Sequence, residues 1–166
     1  KKFYIIILFL IVILAYHFLL REYTGDFKEM FSQLMDKDTL GDALRKRYET
    51  WSSRVFIEAP LILLAHNNAV LLWKVCNIFV WLALALSLMY LTHYKNITML
   101  IGLILMYPVT DMASAGWIAT YINYLWSLTA GCISVIALDK MYYDKKIYFP
   151  EAVMYLYWSC LRLILK

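Results

Sequence analysis

The sequence predicts an all-α fold, a polytopic membrane helix bundle with about five crossings and surface-lying amphipathic helices in its first outer loop. Three observations carry this. The 166 residues are 63% hydrophobic and only 17% charged, and the mean hydropathy is +0.63, well above a soluble domain. The apolar residues gather into runs long enough to cross a bilayer, which takes ~20 residues each. The polar residues gather into a few islands between those runs.

Residues 3–20 are apolar apart from His17 and follow Lys1 and Lys2. Basic residues before a first span favour a cytoplasmic start. A signal peptide is the rival reading, but the run is long for one, and Ala15-Tyr16-His17-Phe18 offers no small-x-small cleavage site. The segment reads as a retained anchor helix.

Residues 21–54 form the long polar segment. Phe27, Met30, Phe31, Leu34 and Met35 recur at helical spacing, as do Leu40, Ala43 and Leu44, then Tyr48, Trp51 and Val55. This spacing predicts helices over 27–35 and 42–65, lying along the membrane surface. Residues 55–65 are apolar but short, with Glu58 and Pro60 inside. They either cross the membrane or stay in the interface ahead of a crossing at 69–92. The second topology gathers Lys1, Lys2, Lys95, Lys140, Lys145 and Lys146 on the cytoplasmic side, so the positive-inside rule prefers it. The remaining crossings are then 97–107, 117–138 and 147–165. The whole is one membrane domain, 1–166, made of a first crossing (1–20), an outer loop (21–68) and the remaining crossings (69–166).

Several functions lose support at once. The net charge of +4 comes from scattered lysines, so nucleic acid is not an expected partner. Cys76, Cys132 and Cys160 are far apart in apolar runs and read as small buried hydrophobes. His17, His66 and His93 are isolated and read as packed or interfacial side chains. No protein-held metal is expected from these spacings. Most of the aromatic residues near crossing ends fit an interfacial belt.

Two islands remain, and this topology sets both on the outer face. One is Tyr48-Glu49-Thr50-Trp51-Ser52-Ser53-Arg54 with Glu58. The other runs from Asp111 through Trp117 to Asn123-Tyr124-Leu125-Trp126. Ionisable groups at membrane depth pair, face a cavity or serve a pathway. Asp26 and Asp111 leave the membrane at similar heights, as candidate catalytic acids. Their bland readings are a loop acid and a helix cap. Arg54 and Glu58 are spaced to pair on one helix face, either as a structural ion pair or as part of a pocket. A lipid-linked sugar phosphate would use such a pocket. Arginine grips phosphate with a planar fork, and a carboxylate deprotonates the acceptor hydroxyl. Trp51, Trp117 and Trp126 offer faces to a sugar ring, although anchoring is the commoner use of Trp.

This arrangement resembles the N-terminal part of a GT-C-type membrane glycosyltransferase. That superfamily includes oligosaccharyltransferases, protein O-mannosyltransferases and lipid A aminoarabinose transferases. Asp26 matches the acidic residue early in their first outer loop, and Asp111 the one in the next. Trp51-Ser52-Ser53-Arg54 with Glu58 is similar to a WSxR-type signature of bacterial surface-polysaccharide proteins, and Gly116-Trp117 to Trp126 is similar to their second outer loop. The resemblance implies a sugar transferase of the bacterial plasma membrane that uses a polyprenyl-phosphate donor. Its catalytic residues would be Asp26 and Asp111, with Arg54, Glu58, Trp51, Trp117 and Asn123 binding substrate. It leaves room for a divalent metal. It also implies a missing C-terminal portion or a partner membrane protein, since members have many more crossings. Two alternatives stay open. One is a non-enzymatic membrane subunit or flippase accessory for lipid-linked sugars. The other is a small transporter, which would place ionisable groups at mid-crossing, where this chain has few.

Overall fold

The computed structural model of the chain describes residues 2–19, 26–36, 38–50, 54–107 and 118–143. These residues are mostly helical, joined by short turns, with no strand among them. Helix α1 is Lys2–Leu19 and α2 is Asp26–Glu29, followed by a 3-10 turn at Phe31–Gln33. Then come α3 (Leu40–Thr50), α4 (Val55–His66), α5 (Val70–Leu91) and α6 (Ile97–Leu105). The last rod is continuous. It comprises α7 (Ile118–Thr120), a π-helical segment (Tyr121–Trp126) and α8 (Ser127–Tyr143). The expected crossing at 147–165 lies outside the described residues.

Two of these elements are long and apolar enough to cross a membrane, Val70–Leu91 with 22 residues and Ile118–Tyr143 with 26. At ~1.5 Å per residue the first is about 33 Å long, against a hydrocarbon core of ~30 Å. Helix α1 runs antiparallel to α5. Phe9 meets Trp81, with ring centroids 6.5 Å apart, while His17 meets Trp73 nearer the start of α5. Helix α6 covers nine of the eleven residues expected as a short crossing at 97–107. Its nine residues reach only about 14 Å, and Tyr107 just beyond it packs edge-on against Trp81, the middle of α5.

The outer loop departs from expectation in a specific way. A single helix over 42–65 is replaced by α3 and α4, with Arg54 opening α4 by accepting the Glu58 N–H on its carbonyl at 2.9 Å. The helix expected over 27–35 is likewise reduced to α2 and the 3-10 turn. Thr39 ahead of α3 donates its hydroxyl to Asp42 Oδ2 at 2.7 Å and accepts the Asp42 N–H at 3.3 Å. That hydroxyl holds the Asp42 carboxyl below its ordinary range, and the exchange caps the helix. Helix α4 has 12 residues, about 18 Å, too short to span a bilayer. Its Ile57, Leu61, Ile62 and Ala65 are buried against the rest of the protein.

The core is continuous. Phe9 and Ile13 of α1, Trp73, Trp81 and Leu84 of α5, Leu61 and Ile62 of α4, and Tyr121 and Ile122 of the π segment form one buried cluster. Phe27 and Phe31 extend it under the outer loop. Burial of these large side chains is what holds the short loop helices, which are too brief to persist alone.

Candidate functional site

Glu58 is 2% exposed, deep between α3 and α4. Its partner is Arg47, not Arg54. Arg47 Nε donates to Glu58 Oε2 at 2.8 Å and Nη2 to Oε1 at 3.1 Å. This is the bidentate fork that makes Arg–carboxylate pairs specific. The Arg47 guanidinium also lies 5.0 Å from the centre of the Phe31 ring. The expected Arg54–Glu58 pair is therefore corrected. Both Glu58 oxygens accept from Arg47, which holds the carboxylate facing α3. The geometry also explains the helix break. Eleven residues on one straight helix would separate Arg47 from Glu58 by about 16 Å, so their contact requires the chain to fold back between α3 and α4.

Sequence reasoning missed Arg47, but a signal existed. Arg47 falls on the same helix stripe as Leu40, Ala43 and Leu44, where a cation has to find a buried anion.

Arg54 turns elsewhere. Half-buried at the head of α4, it donates from Nη1 to Asn123 Oδ1 at 3.4 Å, across 69 residues of sequence. Asn123 Nδ2 in turn donates to the Ala119 carbonyl at 2.8 Å, which fixes the amide with its oxygen toward Arg54. The π segment carries this asparagine, and such insertions re-aim side chains within a helix. Two of the expected substrate-binding residues, one from each polar island, thus meet. Asp26 opens α2, and α2 packs against α7 and α4. Trp51, Asp111 and Trp117 lie outside the described residues.

Beneath this contact runs a second polar chain. Trp126 Nε1 donates to Asn77 Oδ1 at 2.9 Å, and Asn77 Nδ2 lies 3.0 Å from His17 Nε2. His17 Nδ1 lies 2.7 Å from the Ile13 carbonyl. A carbonyl only accepts, so Nδ1 carries the proton and Nε2 accepts from Asn77. The histidine is neutral in this arrangement. Each link pairs a donor with an acceptor, and α1, α5 and the last rod are tied together. Trp126 therefore spends its indole N–H inside the bundle, a structural use that sequence reasoning did not assign. Asn77, 0% exposed, was also missed, although an amide in the apolar run 69–92 was its signal.

An aromatic cluster surrounds this chain. Tyr121 packs against Trp73 at 5.6 Å and against Tyr107 at 5.1 Å. The Trp73 and Trp81 indole N–H groups and the Tyr121 hydroxyl are buried without a hydrogen-bond partner among the described residues. Such groups cost ~1–3 kcal/mol each when left unsatisfied, and the ring contacts offset part of that. Among the described residues no His, Cys, Asp and Glu gather as a metal site would require.

Comparison of the chain with protein-family models, with curated proteins and with solved structures finds no match.

Proposed function

We propose that the chain is an integral membrane protein with a cytoplasmic N-terminus, in which α1, α5 and the last rod cross the bilayer. On this reading its outer face binds a polyprenyl-phosphate-linked sugar and transfers the sugar to a surface glycan or lipid acceptor. The observation that carries the reading is the Arg54–Asn123 contact at 3.4 Å. It joins the two polar islands through a half-buried guanidinium, the group best shaped for a phosphate. Helices α2 and α7 pack together, so Asp26 opens an element beside the strand of chain that leads to Asn123.

The chemistry follows from those groups. The acceptor hydroxyl oxygen attacks the anomeric carbon, and its proton passes to the Asp26 carboxylate. The bond from that carbon to the phosphate oxygen breaks, and the polyprenyl phosphate leaves with the bonding pair. Arg54 holds the phosphate as this charge develops. Asn123 positions Arg54. Asp111, Trp51 and Trp117 belong to the same proposal, as second acid and sugar-facing rings. Glu58 belongs to the same proposal as a positioning residue, since Arg47 engages both its oxygens and ties α3 to α4, the helix that Arg54 opens.

One observation favours a second reading, a non-catalytic subunit for lipid-linked sugars. Among the described residues the most deeply buried charge pair, Arg47 with Glu58, ties α3 to α4 and leaves the two groups bonded to each other. A single experiment separates the readings. Binding of undecaprenyl phosphate to detergent-purified protein is measured for the wild type and for Arg54→Lys, Asn123→Ala and Asp26→Asn, with sugar transfer followed in parallel. Arg54→Lys and Asn123→Ala are expected to weaken binding about tenfold while folded yield stays normal. Asp26→Asn should bind normally and lose about 100- to 10,000-fold in turnover. Binding without transfer in the wild type would leave the subunit. Unchanged binding in Arg54→Lys and Asn123→Ala would remove the phosphate site.

A further inference from the structure

A groove of about 640 Å³ runs between α5, α6 and α8, away from the Arg54–Asn123 contact. Its floor is apolar, made by Leu84, Leu100, Ile104 and Leu125. Only one end is polar, where Thr92, Lys95 and Asn96 form the mouth. The other end stops at Met106 and Tyr107, against Trp81 in the middle of α5.

The mouth is an unusual turn. His93, Tyr94 and Asn96 all take left-handed backbone conformations, with φ of 51°, 57° and 51°. The turn sets Lys95 at the groove entrance, exposed and with no carboxylate pairing it among the described residues. The Asn96 side chain makes no capping hydrogen bond to α6.

The dimensions choose the occupant. Along α6 the groove runs about 14 Å, close to half of the ~30 Å hydrocarbon core. It therefore matches the apolar depth of one leaflet. A second membrane helix would need a seat along the whole of α5, and Tyr107 closes the groove halfway. A hydrocarbon chain ending at mid-bilayer needs no more. The volume lies within the ~300–1,000 Å³ of sites that take one small ligand. A cation at the mouth and hydrocarbon walls below complement an anionic head on an apolar tail.

We infer that this groove holds one acyl chain of an anionic glycerophospholipid, with the lipid phosphate at Lys95 and Asn96. The inference rests on the reading that α5 and the last rod cross the bilayer. It is independent of sugar transfer.

The test is native mass spectrometry of the detergent-purified chain, titrated separately with phosphatidylglycerol and phosphatidylcholine. The wild type should retain one phosphatidylglycerol with about fivefold or greater preference, since one lysine at an anionic surface contributes roughly that factor. Lys95→Glu should abolish the preference. Leu103→Trp, on the half-open wall, should fill the groove and reduce retention of both lipids while helicity is unchanged. Equal retention of the two lipids by the wild type overturns the inference, as does undiminished retention in Leu103→Trp. So does a Leu103→Cys variant that crosslinks to a second copy or to a cysteine placed within 147–165, because protein would then cover the groove. Alkaline carbonate washing of membranes separates the two levels. A chain that washes off fails the membrane reading itself, whereas one that stays and shows no preference fails the lipid site alone.

Discussion

Arg47 and Glu58 show how one buried pair shapes the outer loop. Their side chains are 10% and 3% exposed, so both charges are largely out of water. Desolvation offsets much of their attraction, and such a pair adds less net stability than its geometry implies. Removing one member is another matter, because the survivor is left charged and unpaired. Glu58→Gln and Arg47→Met are each expected to destabilise the protein by about 3–5 kcal/mol. The double variant Arg47→Met/Glu58→Met should recover most of that loss. Thermal unfolding of all three in one detergent checks this. If the double variant is as unstable as the sum of the singles, the pair is not a closed unit and Glu58 serves a further partner. The residues that sequence reasoning found and those it missed differ in kind. Arg54 and Asn123 were found because each sits in a cluster of polar and aromatic residues. Arg47 and Asn77 were missed because each is judged only by its partner, and Glu58 and His17 lie 11 and 60 residues away.

The long helices were legible because period and length decide them. The apolar run 69–92 became α5 at Val70–Leu91, and the run 3–20 became α1 at Lys2–Leu19. The breaks between the short loop helices were not. Local spacing cannot register a reversal that a distant packing partner demands, so the break between α3 and α4 was invisible in the pattern. Helix α6 has nine residues with Gly102 inside, the costliest ordinary residue in a helix interior. A Cβ built at Gly102 meets no atom within 4 Å, so nothing in the packing requires glycine there. Gly102→Ala should therefore stabilise the protein by roughly 0.4–1 kcal/mol, chiefly by restricting the unfolded chain. The measurement is the melting temperature, and a fall instead of a rise would mean that α6 needs to bend at this position.

At the scale of the molecule the proposed bilayer crossing has an orientation, and the charges at its two ends bear on it. The ends are chemically distinct. One carries the outer loop, where Lys46 pairs with Asp38 and Arg45 with Glu49. The other brings together the last turns of α5 and α8, with the Lys140 ammonium 5.9 Å from the centre of the Tyr90 ring and Lys95 on the adjoining turn. The proposed orientation sets the Lys95 and Lys140 end inside with the N-terminus, as the positive-inside rule favours. The rival orientation draws on the loop's own cations, Lys28, Arg45, Lys46 and Arg47, and would put Lys95 outside. Thiol labelling of intact cells decides between them, in a background with Cys76, Cys132 and Cys160 replaced. A membrane-impermeant maleimide is expected to reach Asp38→Cys, half-buried, and His66→Cys, exposed, and to miss Lys95→Cys and Tyr142→Cys until the membrane is permeabilised. The reverse pattern would invert the bundle and move the Arg54–Asn123 contact to the cytoplasmic face, where a donor presented at the outer leaflet could not reach it. Labelling of all four positions in intact cells would deny that α5 and the last rod cross the bilayer at all.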